Sequence, residues 1–127
     1  MKVGETIENY LETIFILLKD NKTIRSIDVV NEMGYSKPTI SLMMKQLREG
    51  GYIVMGDSGL ITLTEKGDNI ARKIYERHVL LTEIFIELGV TEKTAREDAC
   101  KIEHCLSKET FQCIKDFYLG EMGCKED

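Results

Sequence analysis

No apolar run in the chain approaches the ~18 residues that a membrane-spanning helix requires. The first residues, Met1-Lys2-Val3-Gly4-Glu5, lack the apolar core of a secretory signal and soon carry acid. These absences argue against a membrane-spanning helix and predict a cytoplasmic protein. No internal repeat, low-complexity tract or long linker interrupts the sequence, so 127 residues suit one domain, or two small subdomains sharing a core. Histidine is scarce, with only His78 and His104. Cysteine stands at 100, 105, 113 and 124, and in a reducing compartment four thiols do not form a disulfide framework.

Apolar residues make up 43% of the chain and charged ones 31%, the balance of a soluble globular protein. The net charge of −5 is unevenly placed. Residues 1–74 hold ten Lys/Arg and ten Asp/Glu, a net of zero, whereas residues 75–127 hold seven bases and twelve acids. All the excess acid thus lies in the second half. The first half keeps the means to present a local basic face to phosphate, though with a weaker field than a strongly basic binder has.

Apolar spacing then orders the elements. Ile7, Tyr10, Leu11, Ile14, Leu17 and Leu18 mark a helix over 6–18. After the polar break 20–23, Ser26 caps a short helix that Gly34 stops. Ser36 caps a third helix, which tolerates Pro38 in its first turn and buries Ile40, Met43, Met44 and Leu47. The runs 52–55 and 60–63 flank the turn Gly56-Asp57-Ser58-Gly59 and read as a hairpin. Thr64 caps a long helix reaching Gly89, Thr91 opens another, and Ser107 caps the last; Gly120 onward is a short polar tail. The predicted fold is mainly α with a small β-hairpin: an N-terminal winged helix-turn-helix (1–70) and a C-terminal helical dimerisation subdomain (71–127). In that arrangement the helix from Ser36 enters the major groove and the 56–59 turn is the wing. The apolar faces of the second half indicate a homodimer, whose symmetry suits a palindromic operator in double-stranded DNA.

The densest chemistry is Cys100, Glu103 and His104, at spacing i, i+3, i+4. On a helix over 91–106 all three side chains leave one face within a turn. A thiolate, a carboxylate and an imidazole there form a mixed donor set for a divalent transition metal. Each residue also has an ordinary reading, since Cys is often a small buried hydrophobe and Glu-His pairs are common on solvated helices. Cys105 points about 100° away from His104 on such a helix. Cys105, Cys113 and Cys124 are read as packing or spare thiols, and Tyr10 and the Met43-Met44 pair as core.

Five ordered segments resemble the metal-dependent repressors typified by the diphtheria toxin repressor and the manganese transport regulator. They are Ile7-Glu8-Asn9-Tyr10-Leu11-Glu12-Thr13-Ile14, Ser36-Lys37-Pro38-Thr39-Ile40-Ser41, Leu63-Thr64-Glu65-Lys66-Gly67, Arg77-His78, and Cys100-Lys101-Ile102-Glu103-His104 with Leu106-Ser107. The resemblance covers essentially the whole chain. It implies a non-enzymatic, metal-responsive repressor of metal-uptake genes, with a metal site between the first helix and the cysteine-bearing one. On the matching positions the ligands are Asn9, Glu12, His78, Cys100, Glu103 and His104. Iron-type members carry Cys where Cys100 stands and manganese-type members Glu, and a soft thiolate favours Fe(II), Co(II), Ni(II) or Zn(II) over Mn(II). Fe(II) is therefore expected first and Mn(II) next.

The chain departs from the family pattern in three places. Asn9 stands where the iron type has Met and the manganese type Asp. Arg96 and Thr82 occupy the His and Glu positions of the toxin-repressor ancillary site. Leu42 replaces a groove-facing polar residue and offers only contact with a thymine methyl. The chain also stops near 127, as in the shorter manganese-regulator branch, so architecture and donor set point to different branches. Bound metal is expected to fix the angle between DNA-binding and dimerisation parts, with affinity falling at acid pH because Cys and His coordinate deprotonated. For DNA the candidates are Ser36, Lys37, Thr39 and Ser41 near the start of the recognition helix, Pro38 against thymine methyls, and Lys45 and Ser58 on phosphate. Ser36 as a simple cap and Lys45 as a solvated base stay open. A second class is a redox sensor on the same scaffold using Cys100, Cys105 and Cys113. A hydrolase is disfavoured, because no zincin-like motif accompanies Glu103-His104.

Overall fold

The computed structural model describes residues 4–120. Its first helix, α1 (Glu5–Asp20), buries Tyr10, Leu11 and Ile14 as the spacing predicted, and Phe15 beside them, while Ile7, Leu17 and Leu18 are half-buried. Glu5 and Glu8 sit at its N-terminus and Lys19 at its C-terminus, each at the end of the helix dipole that favours its charge. Asn21 closes it, donating from both its amide and its side chain to the Leu17 carbonyl at 2.9 and 3.0 Å. Helix α2 (Ser26–Met33) begins one residue differently from expectation. The cap is Arg25, whose amide donates to the Asp28 carboxylate at 2.8 Å, and Ser26 is already helical. Gly34, at φ 77°, ends α2 in the left-handed region that glycine enters without strain.

Helix α3 (Lys37–Glu49) starts where Ser36 Oγ accepts from the Thr39 amide at 3.3 Å. Ile40, Met44 and Leu47 are fully buried, and Met43 is half-buried at the edge of that stripe. Strands β1 (Ile53–Met55) and β2 (Ile61–Leu63) pair antiparallel, with Ile53 opposite Leu63 and Met55 opposite Ile61. The Ile61 amide donates to the Ile24 carbonyl at 2.9 Å, which holds the segment before α2 against the hairpin. Ile24, Ile53 and Ile61 point inward and complete the core under the three helices.

Helix α4 (Glu65–Glu87) is capped as predicted, the Thr64 hydroxyl accepting from the Gly67 amide at 3.1 Å. The same hydroxyl donates to the Gly51 carbonyl at 2.6 Å, and Lys66 Nζ reaches the Gly50 carbonyl at 3.0 Å while lying over the Tyr52 ring. A β-carbon on Gly67 would fall 2.1 Å from the Tyr52 carbonyl oxygen, so only glycine fits this approach.

The chain divides into two units, Met1–Lys73 and Ile74–Asp127. The second unit adds α5 (Glu92–Ile102) and α6 (Lys108–Leu119) to the latter part of α4. Its core is Ile74, Leu80 and Leu81 of α4, Ala95 and Ala99 of α5, and Phe111 of α6. Lys115 Nζ binds the Glu76 carboxylate at 2.6 Å, and the Tyr118 hydroxyl donates to Glu87. The hydrogen bond to the Glu87 carboxylate pushes the Tyr118 phenol up to about 12. Ser107 caps α6 by accepting from the Thr110 amide at 3.0 Å, and Gly120 at φ 76° ends it. The predicted helix over 91–106 is shorter in fact: α5 stops at Ile102, and residues 103–106 form a turn. Cys124 and the tail from 121 lie outside the described residues.

Gly67→Ala is expected to destabilise the protein by at least ~2 kcal/mol, because the added carbon overlaps backbone that has no rotamer with which to yield. A Gly56→Ala control, whose β-carbon comes no nearer than 3.9 Å to another atom, should shift the midpoint far less. Urea denaturation of both variants checks the contrast.

Candidate metal centre and nucleic-acid interface

Glu103 is the C-cap of α5, still right-handed at φ −58° and ψ −28°, with its amide donating to the Ala99 carbonyl at 3.0 Å. Its side chain has no exposure to solvent. One oxygen, Oε1, lies 2.9 Å from Nδ1 of His78 on α4. The other, Oε2, lies 3.6 Å from Nε2 of His104 and has no hydrogen-bond partner. The His104 ring is itself 2% exposed, though its backbone is at the surface, and the His78 ring is 25% exposed. If Nδ1 of His78 carries the proton toward Glu103, its Nε2 keeps a lone pair for another partner, the arrangement of a ligating histidine oriented by a carboxylate.

A wholly buried carboxylate with an unsatisfied oxygen is costly unless positive charge answers it. Two imidazoles beside it add nitrogen donors suited to a divalent transition metal. The residues of the second unit therefore fit such an ion: Glu103 and His104 supply oxygen and nitrogen, and His78 stands against the same carboxylate. Cys100 keeps its spacing to Glu103 and His104, but α5 itself ends at Ile102 and does not extend to His104 as predicted. The cysteine stays one turn before Glu103 on α5 with an exposed thiol, while His104 belongs to the turn beyond. In the first unit, Asn9 and Glu12 lie one turn apart on α1, Asn9 half-buried and Glu12 buried. Tyr10 between them is a core residue, its phenol raised by burial.

Sequence reasoning missed the group that shapes the turn. Arg77 Nη1 donates to the backbone carbonyls of Glu103 and Leu106, at 3.0 and 2.6 Å. The Arg77-His78 pair was visible as a motif, but nothing in the sequence pointed to carbonyls 26 and 29 residues away.

On α3, Lys37, Pro38, Thr39, Ser41 and Lys45 are all exposed, on the side opposite Ile40, Met44 and Leu47. Ser36 is exposed too, and it serves as the cap, its hydroxyl engaged with the Thr39 amide and side chain. At about 100° per residue, Leu42 falls in the middle of the outward face, with Pro38 one turn before and Lys45 one turn after. It is 57% exposed. Ser58 lies at the hairpin tip, and its carbonyl accepts from Arg25 Nε at 3.0 Å. That bond, between residues 33 apart, pins the wing to the start of α2 and carried no sequence signal.

Two family models divide the chain between them. Residues 2–59 match the iron dependent repressor N-terminal DNA binding domain, and residues 64–121 the iron dependent repressor metal binding and dimerisation domain. The chain is 34% identical over 113 residues to the transcriptional regulator MntR of Escherichia coli O157:H7, covering 89% of this chain and 73% of that protein. It belongs to the iron-dependent repressor family. An uncharacterized HTH-type transcriptional regulator of Methanocaldococcus jannaschii is 37% identical over 117 residues, 91% of this chain and 94% of that one. Among solved structures, a manganese-dependent transcriptional repressor in complex with manganese superposes with a TM-score of 0.78 at 28% identity, covering 90% of this chain and 52% of that chain. The manganese regulator SloR does so with a TM-score of 0.76 at 26% identity, covering 94% and 55%. The chain thus spans about half the length of these two structures. Iron-dependent repressors are metal-dependent, DNA-binding transcriptional regulators and not enzymes. The winged helix-turn-helix and helical second unit are the fold of this family.

Glu103→Gln should leave the metal-free protein at least as heat-stable as the wild type, since it removes a buried charge at constant shape. It should weaken Co(II) binding at least ~10-fold. Thermal denaturation and Co(II) titration of one preparation read both effects. For the interface, Leu42 on a thymine methyl is expected to contribute ~0.8 kcal/mol, about fourfold in affinity. Replacing that thymine by deoxyuridine in a bound DNA fragment should cost the wild type this factor and Leu42→Ala nothing.

Proposed function

We propose that this protein is a metal-activated repressor of metal-uptake genes, binding a palindromic operator as a homodimer in the cytoplasm, with Fe(II) as first and Mn(II) as second candidate co-repressor. The observation that carries the metal part is the buried Glu103 carboxylate, unpartnered on Oε2 and flanked by His78 and His104. The ligand set we propose is Asn9, Glu12, His78, Cys100, Glu103 and His104. Asn9 and Glu12 are supported by their match to the family's ligand positions and by their spacing on α1. The residues of this set would hold the ion, which would supply the positive charge that the buried Glu103 carboxylate lacks. Glu103 supplies a preorganised oxygen, and His78 stays oriented through the Nδ1 contact. Cys100, a soft donor, biases the set toward Fe(II) over Mn(II).

The DNA part rests on the exposed face of α3, where Lys37, Pro38, Thr39, Ser41 and Lys45 surround Leu42, with Ser36 at its start and Ser58 at the wing. Pairing of two chains is supported by apolar side chains left in water on the second unit, Leu88 at 76% and Phe117 at 82% exposure. None of the described helices is long and apolar enough to cross a membrane. The thiol-based alternative finds no support among the similar proteins, which are metal-dependent regulators. Cys100, Cys105 and Cys113 are exposed thiols on α5, the turn after it and α6.

Anaerobic metal-stripped protein, titrated separately with Fe(II), Mn(II) and Zn(II) against its own upstream DNA, is the test. Specific binding restored by micromolar Fe(II) and not by Mn(II) is the expected result, and Cys100→Glu should move the preference toward Mn(II). Equal activation by Mn(II) would remove Cys100 as the selectivity determinant. Specific binding with no metal would overturn the switch.

A further inference from the structure

The turn that carries Glu103 and His104 is not held by its own sequence. The Cys105 amide still finds the Ile102 carbonyl at 2.9 Å, but the helix goes no further. A continuing helix would send the Ser107 amide to the Glu103 carbonyl. Ser107 instead adopts φ −67° and ψ 160° to cap α6, so that carbonyl needs another donor. Arg77 is that donor, and one Nη1 serves the carbonyls of Glu103 and Leu106 together. Its guanidinium lies 5.2 Å from the centre of the Phe111 ring, itself buried in the first turn of α6. The next residue on α4, His78, contacts the Glu103 side chain. Adjacent positions on one helix therefore grip the same residue, Arg77 by its backbone and His78 by its carboxylate.

We propose that Arg77 is a positioning residue for metal binding, resting on the metal reading given above. It fixes the 103–106 backbone so that the Glu103 and His104 donors are presented in one geometry, and it does not touch the ion. A guanidinium stays charged at any working pH and has no lone pair to offer, so it cannot be a ligand. Its charge is met by two carbonyl dipoles and an aromatic face. Gln in its place is too short to span both carbonyls from α4, and Lys lacks the planar head that stacks on Phe111 while donating in two directions. Loss of the bonds leaves part-buried carbonyls to find other partners, and the turn moves with them.

The test uses the full chain, stripped of metal and titrated anaerobically with Co(II), whose visible bands report ligand geometry. Wild type, Arg77→Gln and Arg77→Lys are compared, and thermal denaturation of each metal-free protein is recorded alongside. Arg77→Gln is expected to weaken Co(II) by ~10–100-fold, the usual effect of removing a group that orients ligands, and to shift the bands at saturation. Arg77→Lys should fall between. A purely structural role would lower the melting temperature and leave the saturated spectrum and affinity alone, which overturns the proposal. Should Arg77→Gln fail to fold, the Lys variant decides, and wild-type affinity and bands in it also overturn the proposal. Wild type that binds no Co(II) strikes the metal reading itself, a separate and recognisable failure.

Discussion

A carboxylate sealed from water must be answered by hydrogen bonds or by positive charge, and Glu103 is answered on one oxygen only. Much of the second unit is arranged around that imbalance. α5 ends where its helical geometry has just delivered Glu103 inward, α4 brings His78 to one oxygen, and the turn brings His104 toward the other. Natural cores do not keep such a group for stability, since an apolar residue of the same volume would cost less. Under the proposed function, its presence is that of a binding device that trades resting stability for affinity.

The regular elements were legible because their signals are local. Apolar period, Ser36, Thr64 and Ser107 as caps, and Gly34 and Gly120 as stops all act within a turn of where they stand. The winged helix-turn-helix followed from their order. The end of α5 was not legible, because what replaces its last hydrogen bond comes from Arg77, remote in sequence and invisible to any window. The cap of α2 was misplaced by one residue for a smaller reason. Ser26 is a good capping type, but Asp28 is placed to receive the Arg25 amide and wins.

At the candidate site, the sequence pattern picked out residue types and not their surroundings. Glu103 and His104 were recognisable by spacing, yet the spacing rested on a helix that does not extend that far. Complete burial of Glu103 and its contact with His78 depend on packing between helices, which periodicity cannot report. On the DNA side, the outward face of α3 was readable from its apolar complement. Of its two readings, Ser36 shows the cap, and it remains exposed at the surface.

The seat of Gly67 has a mechanical side. The carbonyl of Tyr52 rests where a side chain would be, the Thr64 hydroxyl takes the Gly51 carbonyl, and Lys66 takes that of Gly50. Three successive carbonyls leaving the end of α3 are thus fastened to the first turn of α4 and its cap. A loop there would absorb strain as slack. This junction instead is pinned at three points, so the end of α3 and the start of α4 are held together as one corner.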